Sequence, residues 1–359
     1  MQILADGWSD TGVNVTLDVV AARAGVSAAT VSRVVNRRPG VAATTRDRVQ
    51  QALRELGYRP TGMVDLKARG GPAGMVGLFV PDLLNPVFPA FAQAIESRLA
   101  SRGRSALLCT TDSSGLREEE YARILVEKGV EGMVFVSADM TDTSHPHPHY
   151  SVLHELGMPM VFVNGRVAGL GVPSVETDEA EAARLAVEHL ASLGHRRLAL
   201  VTGPPRYQPS RDKRAGFSAA TEAVGLPRGE VAVGDWGVEG GRTAMTRLLR
   251  ADPRPTAVIC GSDLMAIGAL EAAAEAGLRV PGDLSVVGYD NTLLARHCDP
   301  PLTTVSQRIE RMADTAVNLL LDAIAHHDGS ATRETEYLFR PELVVRGSTG
   351  RPPRPRRNP

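Results

Sequence analysis

The ten residues from Ser27 to Asn36, Ser-Ala-Ala-Thr-Val-Ser-Arg-Val-Val-Asn, combine hydroxyls, a guanidinium and a carboxamide with small apolar side chains. No nucleophile sits beside a base here, so the chemistry on offer is hydrogen bonding. Arg33 can pair in bidentate fashion with guanine O6 and N7, whereas Ala28 and Ala29 can meet only an apolar feature such as a thymine methyl. At helical periodicity Val31, Val34 and Val35 share one face, and Ala28, Ala29, Ser32, Arg33 and Asn36 share the other. A greasy back and a short-chained, hydrogen-bonding front suit a helix that lies in the major groove of double-stranded DNA.

Other groups that could react lack suitable partners. His145-Pro-His-Pro-His149 could suggest a metal site, but proline spacing splays the rings along a loop and no cysteine or acid cluster accompanies them, so a polar loop is the reading. Gly261-Ser262-Asp263 lacks the GxSxG elbow of a nucleophile. His195, in Gly194-His195-Arg196-Arg197, reads as turn chemistry ahead of a strand. No Walker or GxGxxG phosphate loop occurs. Neither catalysis nor a bound cofactor or metal is expected.

The elements that must hold the DNA-reading segment are local. Thr16 can cap a first helix, with Asp18 near its positive end. Ala21 lets a second helix approach, Gly25 supplies the positive φ of a tight turn, Val26 buries between helices and Ser27 caps the next one. Thr44 and Thr45 are expected to cap a third helix, in which Val49, Leu53 and Leu56 close a small core. A head at 15–60 follows a disordered leader at 1–14. A Pro- and Gly-rich linker spans 61–74.

From residue 75 the texture changes to apolar strands alternating with amphipathic helices. Strands are predicted at Met75–Val80, 106–109, Gly132–Val136, Met160–Val163, 198–201, Ala257–Cys260 and 284–287. Helices are predicted over 88–101, 117–128, 151–156, 179–193, 214–223, 238–250 and 263–276. Strands without polar alternation are buried on both faces, which implies parallel sheets covered by helices. Two such series, broken near 165–173, imply two doubly wound lobes with a ligand cleft at their strands' carboxyl ends. The Pro- and Arg-rich end of the chain, 348–359, reads as a disordered tail.

The net charge of −1 hides an asymmetry. Residues 1–70 carry ten basic and six acidic groups, and the remainder thirty and thirty-five. A basic head on an acidic body suggests that only the head meets a polyanion. Three scattered cysteines, no apparent signal peptide and no apolar run near the ~18–20 residues of a membrane span point to a cytoplasmic protein.

The head closely resembles that of the LacI/GalR family of bacterial repressors. The matching residues are Thr16-Leu17, Val20-Ala21, Ala24-Gly25-Val26-Ser27, Thr30-Val31-Ser32-Arg33-Val34-Val35-Asn36, Thr45-Arg46, Val49 and Leu56-Gly57-Tyr58-Arg59-Pro60. The likeness continues in Val80-Pro81-Asp82, Asn85-Pro86, Leu193-Gly194-His195, Ala215-Gly216-Phe217, Ser262-Asp263, Val286-Val287-Gly288-Tyr289-Asp290 and Pro301-Leu302-Thr303-Thr304-Val305. It spans roughly residues 15–347. The resemblance implies an all-α helix-turn-helix head plus an α/β two-lobed effector domain of the periplasmic-binding-protein type I fold, doubly wound and Rossmann-like. It also implies three crossings between lobes, which places lobe 1 at about 75–165 and 305–327 and lobe 2 at about 168–303 and 334–347.

By the same resemblance the chain is a homodimer, or a dimer of dimers, on a pseudo-palindromic operator. A sugar or nucleoside-like effector binds between the lobes. Contacts to DNA are expected from Thr16, Ser27, Ala28, Ala29, Thr30, Ser32, Arg33, Asn36 and Tyr58. Met63 or Leu66 could wedge into the minor groove, although Gly62, Asp65 and the shifted Leu66 depart from the family's hinge helix. Effector contacts carry over to Phe88, Asn164, Trp236, Ser262, Asp290 and Gln307. The family's effector-binding arginine is replaced by Lys213, with Arg211 nearby, and lysine offers a point charge instead of a planar fork. A periplasmic-type binding protein or a small-sugar enzyme is the rival reading, and the DNA-reading head argues against both.

Overall fold

The structure, a computed structural model, describes residues 17–35, 41–56, 74–111, 116–325 and 335–353. The chain forms two compact units, one up to residue 69 and one from residue 70. The expected leader, the linker at 61–73, and Thr16, Asn36, Tyr58, Met63 and Leu66 lie outside the described residues.

The first unit comprises α1 (Leu17–Ala24), α2 (Ala28–Val35) and α3 (Ala43–Glu55). Val20, Val31 and Val49 are fully enclosed, with Ala21, Ala24, Val34 and Ala52 around them and Val26, Leu53 and Leu56 packed against the cluster. Gly25 turns the chain between α1 and α2 at φ +65°, and a Cβ there would meet nothing within 4 Å. Its demand is therefore conformational and not steric. The Thr30 N–H donates to Ser27 Oγ at 3.3 Å, which caps α2. Thr44 and Thr45 do not cap α3 as expected. The helix opens earlier, at Ala43, and the Arg46 N–H donates to the Ala42 carbonyl at 2.9 Å, because the preceding alanines extend it backwards.

The second unit holds two six-stranded sheets. The first is built from β1 (Met75–Val80), β2 (Ser105–Thr110), β3 (Gly132–Val136), β4 (Met160–Val163), β5 (Ser174–Thr177) and β11 (Glu336–Phe339), in the order β11-β5-β4-β3-β1-β2. All its ladders are parallel. The second is built from β6 (Leu198–Thr202), β7 (Glu230–Val233), β8 (Ala257–Cys260), β9 (Ser285–Tyr289), β10 (Thr303–Ser306) and β12 (Glu342–Val344), in the order β12-β10-β9-β8-β6-β7. Only its β10/β12 edge is antiparallel.

Burial on both faces explains why the strands lack polar alternation. Val76, Leu78 and Val80 of β1 pack on α4 (Val87–Ser101) and α12 (Ile309–Ala325). On the other face the register aligns Phe79, Phe135 and Phe162 across β1, β3 and β4. Phe79 stacks on Phe135 at 4.5 Å, and Tyr150 of α6 (Pro148–Glu155) closes the row at 5.1 Å from both Phe135 and Phe162. Each such ring contributes about 1.5–3 kcal/mol by burial. The second sheet is covered by α7 (Glu179–Ser192) and α8 (Gln208–Ala223) on one face. The helices α9 (Val238–Leu248) and α10 (Asp263–Glu275) cover the other.

The expected lobe boundaries need three corrections. β5 stays in the first sheet, so the chain crosses after residue 177 and not near 165–173. Its sequence, Ser-Val-Glu-Thr, carries one aliphatic residue and gave no sign of a buried strand, yet all four residues are buried. β10 completes the second sheet, which moves the next crossing to residues 307–308. β11 pairs in parallel with β5, Glu336 opposite Ser174, so the final segment divides between both sheets instead of joining the second alone.

The tail also begins later than expected, since residues 348–350 are stitched into the second sheet. The Thr303 N–H donates to Ser348 Oγ at 2.8 Å, and Ser348 Oγ donates to the Val286 carbonyl at 2.6 Å. Fully buried His195 sits between Thr256 Oγ1 (2.9 Å), Ser285 Oγ (3.0 Å) and the Gly350 carbonyl (2.9 Å). A carbonyl can only accept, so Nε2 carries the proton and Nδ1 accepts from Thr256. Burial holds the imidazole below its ordinary pKa of 6.5. Below that pH the unfolded chain binds a proton that the folded state refuses, so this group's contribution to stability falls progressively as pH drops from about 6.5 toward the lower folded value. Thermal melts between about pH 7.5 and 5.5 should therefore show a drop in midpoint that is shallower in His195→Gln; equal slopes would refute the linkage.

Candidate functional site

The exposed face of α2 gathers the residues expected at DNA. Ser27, Ala29 and Arg33 are exposed, and Thr30 and Ser32 are half-buried. Ala29 and Arg33 stand one helical turn apart on that face. Ala28 departs from the expectation in part, because it packs against the small core from the start of α2. An ion pair between Arg23 and Glu55 ties α1 to α3. The side chain of Val35 lies outside the described residues.

A cavity of about 440 Å³ opens in the second unit where the carboxyl ends of both sheets converge. Ser137 follows β3, Asn164 follows β4, and Asp290 follows β9; all three line it, with φ of +46°, +55° and +109°. Non-glycine residues in this region are strained, and such strain persists only where the surroundings over-determine it. Gln307, at the crossing after β10, ties together the ends of β4, β5 and β9. Its Nε2 donates to Asp290 Oδ1 at 2.7 Å, while its Oε1 accepts from Asn164 Nδ2 at 2.9 Å and Thr177 Oγ1 at 3.0 Å. One carboxamide therefore uses its donor on one sheet and its acceptor on the other.

Phe88, Asn164, Lys213, Trp236, Ser262, Asp290 and Gln307 all line this cavity. Trp236 fits only because Gly203 is bare, since a Cβ there would stand 2.2 Å from the indole. The Ser262 hydroxyl donates to the Trp236 carbonyl at 3.1 Å and accepts the Met265 N–H, which caps α10. Lys213 is compensated: its Nζ lies 2.6 Å from Glu179 Oε1 and 3.6 Å from the centroid of the Tyr289 ring. The Tyr289 hydroxyl donates to the same Glu179 oxygen at 2.8 Å. Burial and neighbouring Asp263 push the Asp290 carboxyl well above its usual range. Burial also raises Glu176, despite Arg166 at 2.8 Å. One oxygen each of Glu176 and Glu179 is buried without a partner. With Asp82, Glu176, Glu179, Asp212 and Asp290 against the single Lys213, the lining is acidic.

Arg211 is a correction. It does not line the cleft but a second cavity on the opposite side of α8. At about 100° per residue, Gln208, Asp212 and Lys213 face one side of the helix and Ser210, Arg211 and Arg214 the other. Several lining residues escaped the sequence reading: Ser137, Glu176, Thr177, Glu179 and Gln208. Glu176 and Thr177 were missed with their strand. Gln208 was missed because α8 starts two turns before the predicted 214; Pro209 in its first turn was the available signal.

The triple-histidine segment lies apart from this lining. Glu118, Asp139 and His149 place one donor atom each within 4.8 Å of one another. Glu118 is already satisfied by the His149 Nε2–H at 3.0 Å, the Tyr150 hydroxyl and the Asp139 N–H at 2.9 Å. The group reads as a satisfied buried carboxylate. The thiols of Cys109, Cys260 and Cys298 are unpaired, and burial pushes Cys109 up to about 11, which makes it unreactive near neutrality. Among the described residues no helix is long and apolar enough to cross a membrane.

Comparison with known proteins agrees with this geometry. Residues 16–61 match the family described as bacterial regulatory proteins, lacI family, and residues 187–349 match a periplasmic binding protein-like domain. An uncharacterized HTH-type transcriptional regulator in the aml 5′ region of Streptomyces limosus is 48% identical over 336 residues, covering 92% of this chain and 93% of its own. Among solved structures, a complex of the transcriptional regulator CelR with cellobiose superposes with a TM-score of 0.68 at 33% identity, covering 93% of this chain and 99% of its own. The Lac repressor dimer bound to operator and the anti-inducer ONPF superposes at 0.67 and 32% identity, covering 94% and 99%. The chain belongs to the lacI family of bacterial regulatory proteins, as a transcriptional regulator with a helix-turn-helix head and a two-sheet, periplasmic-binding-protein-like body.

Proposed function

We propose that this regulator is a cytoplasmic repressor, that it reads a pseudo-palindromic operator as a homodimer, and that an uncharged sugar or nucleoside-like effector in the cleft sets its operator affinity. The observation that carries the reading is the cleft itself. Both lobes line it, Gln307 joins them, and it offers hydrogen-bonding carboxyls beside the aromatic rings of Trp236 and Phe88. Ring faces suit the apolar side of a sugar or base, and carboxyls accept from hydroxyls. The acidic lining, with its one lysine compensated, disfavours an anionic effector. Support also comes from the neighbours, one of which holds cellobiose and another of which is a dimer on operator. An effector changes operator affinity only if it binds two lobe arrangements unequally.

The test is operator selection from random duplex DNA, followed by titration of the selected complex with neutral sugars and nucleosides. A palindrome whose binding one of these ligands shifts is the expected result. Recovery of no palindrome by a folded protein would remove the repressor reading. On the selected operator, Arg33→Ala should cost ~1–3 kcal/mol and relax base preference at one position in each half-site; an unchanged selection profile would show that α2 does not read bases through Arg33. Trp236→Ala should raise the effector concentration needed for half-response by about tenfold, the scale of a lost ring contact together with its buried area. A response curve that coincides with the parent's would place the ligand elsewhere.

A further inference from the structure

Arg211, expected at the cleft, and its neighbour Arg214 border a different cavity. It measures about 350 Å³ and lies between α8 and the edge strand β7 of the second sheet. It shares no lining residue with the cleft. Arg211, Arg214, Ser210 and Ser218 of α8 form one wall, and Val231 and Val233 of β7 the other, with Thr202 at the end of β6. No carboxylate lines it. Arg211 donates to Thr143 Oγ1 and, at 3.4 Å, to the Arg206 carbonyl. Among the described residues neither Arg211 nor Arg214 pairs with a carboxylate, so both keep an uncompensated positive charge. Thr202 and Ser210 are each 2% exposed, and the hydroxyl oxygen of each is buried without a hydrogen-bond partner.

We propose that this cavity is a second ligand site, specific for a small phosphate monoester. Two guanidiniums and three hydroxyl-bearing residues offer more donors than the two oxygens of a carboxylate can use, and they suit the three terminal oxygens of a phosphate. The volume is roughly twelve times the ~30 Å³ share of one liquid water, more than a bare oxyanion fills. The valines supply apolar surface for an organic body. Helix α8 thus separates an acidic cavity from a basic one, and the phosphate that excludes a molecule from the first admits it to the second.

Isothermal titration of the full chain with glucose 6-phosphate, glycerol 3-phosphate and inorganic phosphate tests the site. The expected result is saturable binding of at least one monoester, tighter than inorganic phosphate. In Arg211→Gln/Arg214→Gln that binding should weaken by about tenfold or more, while Trp236→Ala retains it. A thermal midpoint and near-UV spectrum matching the parent's would establish that the double variant is folded. If the double variant unfolds, Thr202→Val/Ser210→Ala serves instead, with weakened binding again expected. Saturable binding by none of the three probes overturns the proposal. So does binding that the folded arginine or hydroxyl variant leaves intact, binding that Trp236→Ala abolishes, or inorganic phosphate binding as tightly as the monoesters.

Discussion

Two parallel sheets can each bury both faces under helices, but their strand ends then leave polar backbone and side chains at a common opening. In this body that opening is governed by one carboxamide. Gln307 donates from Nε2 to Asp290 and accepts at Oε1 from Asn164 and Thr177. Since a carboxamide cannot reverse its ends without losing both sets of bonds, the two sheets are joined at this point by hydrogen bonds of fixed polarity. The left-handed backbone at Asn164 and Asp290 is part of the same constraint, for it turns each strand end sharply enough to place its side chain at Gln307. Strain of this kind is tolerated because the core on both sides of the opening is dense and apolar.

Charge separates the parts of the molecule that meet different partners. The head is basic and the body acidic in sequence, and within the body the cleft gathers carboxyls around a neutralised lysine. Burial raises Asp290 and Glu176, which favours their protonated forms and equips them to donate as well as accept. A polyhydroxyl ligand, itself both donor and acceptor, is the natural complement of such a lining.

The head was legible in sequence because everything that builds it is local. Val20, Val31, Val49 and Gly25 lie within about thirty residues, and helical spacing alone predicts their meeting. The apolar strands β1, β3, β4 and β8 were equally plain. The cleft was harder, because its lining comes from strand ends scattered from Asp82 to Gln307. The expected residues that line it were carried by family resemblance, which is blind to local departures. Arg211 shows the cost: its place near Lys213 suggested the cleft, whereas the helix it belongs to turns it to the far side. β5 escaped because a buried strand with polar residues has no periodic signature; Glu176 and Thr177 are buried by pairing and by the site they serve.

The division of the final strands between both sheets has a consequence for biosynthesis. The head needs only residues up to the end of α3, so it can fold while the rest of the chain is still on the ribosome. Neither lobe of the body has that freedom. The first sheet waits for Glu336–Phe339, and the second for Glu342–Val344 and the Ser348–Gly350 clamp around His195. A nascent chain therefore carries a finished head on two unfinished lobes until its last strands emerge. A truncation in this segment damages both lobes at once.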